Sequence, residues 1–211
     1  MASFNTHLAI AKLYAKRNGV KDLNAFYKGN IDPDLTDNKD TTHYGTVPNT
    51  FENAWVRLNN KVDLAKFLRC NKLDNDLNLG RFLHLVADKH FFSDIFGEEA
   101  LKNYAHDQFT LDLFYSYILG NQYLIKKYNL HEIDLDKIMD TTVMTSVSEA
   151  QRFRQTIVMK KQIQQVQKKI DNAIRLGLTP KNIIDNAKLD KFINKVASLD
   201  LQSTASHARK S

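Results

Sequence analysis

A single cysteine, Cys70, leaves this 211-residue chain without an internal disulfide framework. That scarcity fits a reducing compartment. Proline and glycine are also rare, at 3 and 7 residues, which argues against a turn-rich β architecture and for helix. No stretch approaches the ~18 continuous apolar residues of a membrane span, so no transmembrane segment is expected. Met1 to Asn5 offer no basic region followed by an apolar run, so no secretory signal is read. A cytoplasmic location is the resulting expectation. The hydrophobic fraction of 43% is ordinary for a globular protein. The length suits one domain, or one domain with a helical appendage.

What is present begins with charge. The net charge of +6 permits attraction to nucleic acid or anionic lipid without demonstrating it. The excess gathers between Arg152 and Lys169, where six cations occur with no acid among them.

Taken in order, residues 4–18 read as a first helix, with Asn5 or Thr6 as its cap and Gly19 just past its end. Residues 19–50 read mostly as loop, with a turn at Lys28-Gly29-Asn30-Ile31-Asp32-Pro33-Asp34. Residues 51–70 read as a helix, and the next, capped at Asn75 or Asp76, runs to about Phe92. Residues 98–127 form another. Residues 147–175 form a long helix whose Ile163, Val166, Ile170 and Ile174 make an apolar stripe. Thr179-Pro180 starts a last helix with Leu189, Phe192, Ile193, Val196 and Leu199 on one face. The expected architecture is all-α, with a core over 1–145, a C-terminal helical hairpin over 146–200 and a flexible tail over 201–211. The hairpin is expected either to pack on the core or to serve association, including as a homo-oligomer seam.

One stretch carries chemistry. Phe82 to Phe92 is apolar almost all round, yet holds His84 and Asp88. Positions i and i+4 share a helix face, so an imidazole and a carboxylate project together from a buried segment. A buried carboxylate needs a cation, hydrogen bonds or a metal ion to stay charged. Taken alone, the pair reads more readily as a polar core network than as a metal site. Further ionisable groups stand in suspicious places: His7, Asp34, His43 and His106. Imidazole with carboxylate suits Zn²⁺ and other first-row divalent ions.

Order and spacing then produce a resemblance. Thr6-His7-Leu8, Gly29 to Asp34, Thr42-His43-Tyr44 and Leu83-His84-Leu85-Val86-Ala87-Asp88 resemble four motifs of the zinc-dependent phospholipase C family. Those motifs are Ser-His-Leu, Gly-x-x-x-x-Asp, Ser-His-Phe and Leu-His-x-x-x-Asp. The wider superfamily takes in the S1/P1 nucleases. The resemblance covers residues 6–88 and implies a phospholipase C / P1 nuclease-like helical bundle. It implies metal ligation by His7, Asp34, His43, His84 and Asp88, with Asp88 bridging two ions. The secreted members use an N-terminal Trp as a ligand, whereas this chain begins with Met1. The family's next His falls near His90 or Asp94. Its His-x-x-x-Glu falls at His106, which is followed by Thr110 rather than an acid, with Asp107 and Asp112 as nearby substitutes.

The implied activity is phosphoric ester hydrolysis by one or two zinc or other divalent ions. Such ions acidify a bound water and polarise a phosphoryl oxygen, and Asp34 would act as general base or water orienter. The expected substrate is a phospholipid head group or another small phosphate ester. One alternative is a nuclease, with Tyr44 and Trp55 as base-stacking platforms. The other is a non-catalytic metal-binding helical interaction protein, for which a closed coordination shell would speak.

Overall fold

The computed structural model describes residues 2–35, 39–46, 61–135, 138, 171, 175, 177 and 179–210, with the backbone alone at 106 and 107. Nine α-helices are defined among the described residues: α1 (Phe4–Asn18), α2 (Leu23–Ile31), α3 (Asp40–His43), α4 (Leu64–Cys70), α5 (Asp76–Ile95), α6 (Glu98–Lys102), α7 (His106–Lys127), α8 (Asn186–Ala197) and α9 (Leu201–Ala208). Short 3₁₀ turns follow at Asp32–Asp34 and Leu130–Glu132. The only extended pairing among the described residues is an isolated bridge between Tyr44 and Val62. The protein is predominantly helical, as its composition implied.

The helix α5 is the axis of the fold. Asn75 caps it by accepting from Asn78 N–H at 2.9 Å. Phe82 through Asp88 are buried without interruption, and Phe91, Phe92 and Ile95 continue the core. A helix apolar all round has to be enclosed by others, and α2, α4, α8 and α9 all pack against it.

Its most extensive partner is α2. The sequence reads this region as loop because Gly29 and Asn30 are turn formers; instead Asp22 caps a helix by accepting from Ala25 N–H at 3.0 Å. Gly29 serves the crossing. A Cβ at Gly29 would sit 1.9 Å from the Leu77 carbonyl oxygen, and one at Gly80 would sit 2.1 Å from that of Phe26. Only two glycines let the backbones approach so closely.

Other expectations shift in similar ways. The first helix matches its expected span, but Ser3 is the cap, with Oγ accepting from Thr6 N–H. Gly19 ends it in the left-handed conformation, at φ 63°. Of the helix expected over 51–70, residues 61–63 are not helical and 64–70 are, while 51–60 and Trp55 lie outside the described residues. The expected helix over 98–127 is broken at residues 103–105.

The last long helix starts at Asn186 under an Asp185 cap, not at Pro180. Residues 179–184 run non-helically, because Gln108 donates to the Thr179 carbonyl and Lys181 N–H donates to Asp112. Leu189, Phe192, Ile193 and Val196 are buried, with Phe192 edge-on to Phe91 at 5.4 Å. In place of a flexible tail from 201, Asp200 caps α9, which buries Leu201 and Ala205. The long helix expected over 147–175 and the basic stretch it carries fall almost wholly outside the described residues.

Candidate metal centre

Four elements deliver side chains to one buried point. His7 enters from the first turn of α1, Asp34 from the 3₁₀ turn that continues α2, His43 from α3, and His84 with Asp88 from α5. His7, His43, His84 and Asp88 are between 0% and 4% exposed. Three imidazoles thus converge on a carboxylate that water barely reaches.

The distances match both hydrogen bonds and the spacing of ligand atoms around an ion. His43 Nε2 lies 3.1 Å from Asp88 Oδ2 and 3.3 Å from His84 Nε2, and His84 Nε2 lies 3.4 Å from Asp88 Oδ2. Ligand atoms bound at about 2.0–2.1 Å in a tetrahedral site stand about 3.3–3.4 Å from one another. Asp34 Oδ1 stands further out, 3.8 Å from His43 Nε2. One donor atom from each of Asp34, His43, His84 and Asp88 falls within 4.8 Å of the others.

The tautomers sharpen this. His84 Nδ1 faces the Asn30 carbonyl oxygen at 2.7 Å, and His43 Nδ1 faces the Lys39 carbonyl at 3.2 Å. A carbonyl only accepts, so His84 Nδ1 carries a proton. His43 Nδ1 also lies 3.1 Å from the Thr42 hydroxyl, and its Nε2 is at hydrogen-bond distance from the Asp88 carboxylate. The two Nε2 atoms and Asp88 thus enclose a gap that a proton or a cation can occupy. Backbone carbonyls fixing the outer nitrogen in this way are the usual support of metal-binding histidines.

His7 approaches from the other side of the carboxylate. Its ring stacks on His84 at 3.8 Å and 13°. Its Nε2 is 3.2 Å from Asp88 Oδ1, and neither ring nitrogen makes a hydrogen bond. Asp88 Oδ1 accepts instead from Ala2 N–H at 2.7 Å. A buried imidazole with two unmatched nitrogens costs about 1–3 kcal/mol for each lost hydrogen bond, so this is an unusual arrangement for a purely structural core. The donor set fits a divalent ion on the Oδ2 side and gives the Oδ1 side one further imidazole.

The electrostatics agree. Burial works against ionisation of Asp88, but the positive and imidazole groups around it, His7 and His84 among them, and the contact with His43 hold its carboxyl well below the usual range. At Asp34 burial again opposes the charge, and Lys39 foremost, with His84 and His7, brings it down to about 2. Tyr117, on α7, has its phenol pushed up by burial and then by the charges of Asp88 and Asp34. It therefore lies within reach of their charges, though no motif marked it.

Of the remaining candidate residues, His90 and Asp94 are exposed on α5, and Asp94 pairs with Lys195 at 2.7 Å. Asp112 is wholly buried, but its oxygens accept from Tyr104, Gln108 and Lys181 N–H. The structure does not bring these three to the cluster. The side chains of His106 and Asp107 lie outside the described residues. The ring of Tyr44 packs edge-on against Phe67 at 5.5 Å, and its hydroxyl accepts from Asn71. It is held in the packing rather than presented as a platform. Sequence reading missed the Asn30 carbonyl, Lys39 and Tyr117. Main-chain groups carry no residue signature, and Lys39 sits in a polar run like any surface lysine.

Compared with known proteins, the chain matches no family model, no curated protein and no solved structure.

Proposed function

We propose that this protein is a metal-dependent phosphoric ester hydrolase with a phospholipase C / P1 nuclease-like helical bundle. The observation that carries the reading is the convergence of His43 Nε2, His84 Nε2 and the buried Asp88 carboxylate at ligand spacing, with His84 Nδ1 held by the Asn30 carbonyl. Two imidazoles and carboxylate oxygen suit zinc among divalent ions. His43, His84 and Asp88 would hold the ion. An ion held there lowers the pKa of water and polarises a phosphoryl oxygen.

Asp34 has a separate task. Its greater distance from His43 and its 13% exposure put it at the outer edge of the cluster. Three protein ligands with a fourth direction left for water is the pattern of catalytic rather than structural zinc. Asp34 would orient the attacking water and accept its proton. As oxygen bonds to phosphorus, the bond to the alcohol leaving group breaks, and the proton passes to that group. The substrate is then a small phosphodiester, such as a phospholipid head group.

A second reading makes Asp34 a fourth ligand, closing the shell into a structural site; the four donors lying within 4.8 Å of each other favour it. Elemental analysis and hydrolysis assays on the wild type, His84→Ala and Asp34→Asn separate the two. The hydrolase reading expects metal in the wild type, loss in His84→Ala, and retention in Asp34→Asn with hydrolysis of bis(p-nitrophenyl) phosphate lost. Loss of metal in Asp34→Asn as well would leave the structural site. Absence of metal from the wild type would reduce the cluster to a polar core network.

A further inference from the structure

Asp34 and His43 reach the cluster from two different elements, and a single hydroxyl stands between them. Thr42 precedes His43 on α3 and is half-buried. Its Oγ1 lies 2.8 Å from the carbonyl oxygen of Pro33, the residue before Asp34. The same oxygen lies 3.1 Å from His43 Nδ1 and 3.2 Å from the Lys39 carbonyl. A hydroxyl has one proton and two lone pairs. Its nearest acceptor is the Pro33 carbonyl, so a proton given there leaves the lone pairs for His43 Nδ1. The backbone on either side of the ring is pinned as well. His43 N–H donates to the Lys39 carbonyl at 2.8 Å, and the His43 carbonyl accepts from Asp63 N–H at 3.1 Å. Tyr44, next in the chain, sits at φ 64°. A bulky residue holds that left-handed conformation only where its surroundings over-determine it.

We infer that Thr42 is a positioning residue of the site: its hydroxyl fastens the turn that carries Asp34 to the ring of His43. It thereby sets the 3.8 Å gap between Asp34 Oδ1 and His43 Nε2. The inference rests on the metal reading above and deepens it, because that gap separates a carboxylate that orients water from one that closes the shell. Two links meet at one oxygen. The bond to Pro33 holds the Asp34 turn against α3, and the contact with Nδ1 fixes how the imidazole is rotated. A hydrogen-bond partner on the outer nitrogen orients a ligating imidazole and raises its basicity. A threonine that merely tied the loop would bond main chain alone; this one also meets the ring.

The test is zinc affinity, by competition with a chelating dye, together with the visible spectrum of the cobalt-loaded protein. Both are measured on the wild type, Thr42→Val, Thr42→Ala and Thr42→Ser. Thr42→Val keeps the volume and removes the hydroxyl, Thr42→Ala does so without a methyl facing two carbonyls, and Thr42→Ser keeps the hydroxyl. The first two should bind zinc about 10- to 100-fold more weakly, the range for a partner of a ligating histidine. Their cobalt bands should shift or change in intensity, and Thr42→Ser should restore both readings. Wild-type affinity and spectrum in Thr42→Val and Thr42→Ala would overturn the inference while leaving the metal reading intact. So would weaker affinity with an unchanged cobalt spectrum, or failure of Thr42→Ser to recover. Loss of folding in both Thr42→Val and Thr42→Ala would overturn it as well, since the hydroxyl would then serve the fold at large. A wild type that takes up no zinc would overturn the metal reading and this inference together.

Discussion

Two buried aspartates, Asp88 and Asp112, have been accommodated in opposite ways. Asp112 accepts from the Tyr104 hydroxyl at 2.5 Å, from Gln108 Nε2 at 2.8 Å and from Lys181 N–H at 2.8 Å. Each donor brings its own proton, and the carboxylate ties α7 to the segment before α8. Asp88 has one main-chain donor, Ala2 N–H, and otherwise faces three imidazole nitrogens, of which His43 Nε2 stands at hydrogen-bond distance. Asp112 is met by donors with fixed protons; Asp88 is met by imidazoles, whose nitrogens hold either a proton or a metal ion. Burial alone does not distinguish them, since Asp112 is 0% and Asp88 4% exposed. The identity of the neighbouring donors does.

The largest expected effect separates the two outright. Asp88→Asn should abolish metal uptake, lowering affinity at least about 100-fold, because it removes a charged ligand shared by three imidazoles. Asp112→Asn should leave metal content unchanged. Elemental analysis of both variants beside the wild type checks this. Equal metal loss in both would erase the contrast.

Gly80→Ala tests whether the site depends on the helix crossing. The added Cβ would meet the Phe26 carbonyl oxygen at 2.1 Å, and backbone cannot step aside as a side chain can. Pushing α2 from α5 should cost about 3 kcal/mol or more. It should also weaken metal binding, because α2 supplies the Asn30 carbonyl that orients His84. Urea unfolding with parallel metal analysis measures both. Gly120→Ala is the control, since a Cβ there meets nothing within 4 Å.

Asp112→Ala should sit next in size. It leaves the Tyr104 hydroxyl and the Lys181 N–H without their acceptor and takes one of two from Gln108, costing about 2–3 kcal/mol. Chelation gives the complementary contrast. If zinc stands at about 100 times its dissociation constant, EDTA should remove about 2.7 kcal/mol from the wild type. It should remove nothing from Asp88→Asn. Thermal melts with and without chelator read this out, and an equal shift in both proteins would refute it.

How much of this was legible in the sequence follows from what each feature is made of. Side-chain patterns were readable: the apolar run around His84 and Asp88, the Asn75 cap, the apolar face of α8. Features set by backbone proximity were not. Gly29 and Asn30 read as a turn, yet Gly29 is in the helix because Gly80 lies opposite it, which no local rule contains. Pro180 read as a helix start, but the neighbouring backbone is bound to Gln108 and Asp112, long-range partners that outweigh a local preference. The tail lacked an apolar stripe, and α9 forms on an Asp200 cap with little more than Leu201 and Ala205 buried. In the site, the residues that converge were identifiable by type and spacing. The Asn30 carbonyl, which orients the His84 ring, was invisible.

The smallest effect concerns a third carboxylate, Asp190, which belongs with Asp112 in kind. It accepts from Tyr128 at 2.8 Å and is also bonded by Tyr123 and Lys127, fastening α8 to the end of α7. Burial opposes its charge, but Lys127, Tyr123 and Tyr128 lower its carboxyl below the ordinary 3.8. A lowered folded value means that the stabilisation is fully present above the unfolded value and fades as pH falls through the folded one. Wild type should therefore be more stable than Asp190→Asn from about pH 5 upward, and the gap should close below pH 4. The Lys127 partner is solvent-exposed, so screening keeps the effect small. Melting temperatures of both proteins between neutral pH and pH 2.5 test it, and a gap constant with pH would mean the carboxylate charge contributes nothing there. Asp190 should also be indifferent to zinc at every pH. That would extend to a half-exposed network the rule drawn from Asp112: carboxylates met by donors with fixed protons serve the fold, and the one met by imidazoles would serve the ion.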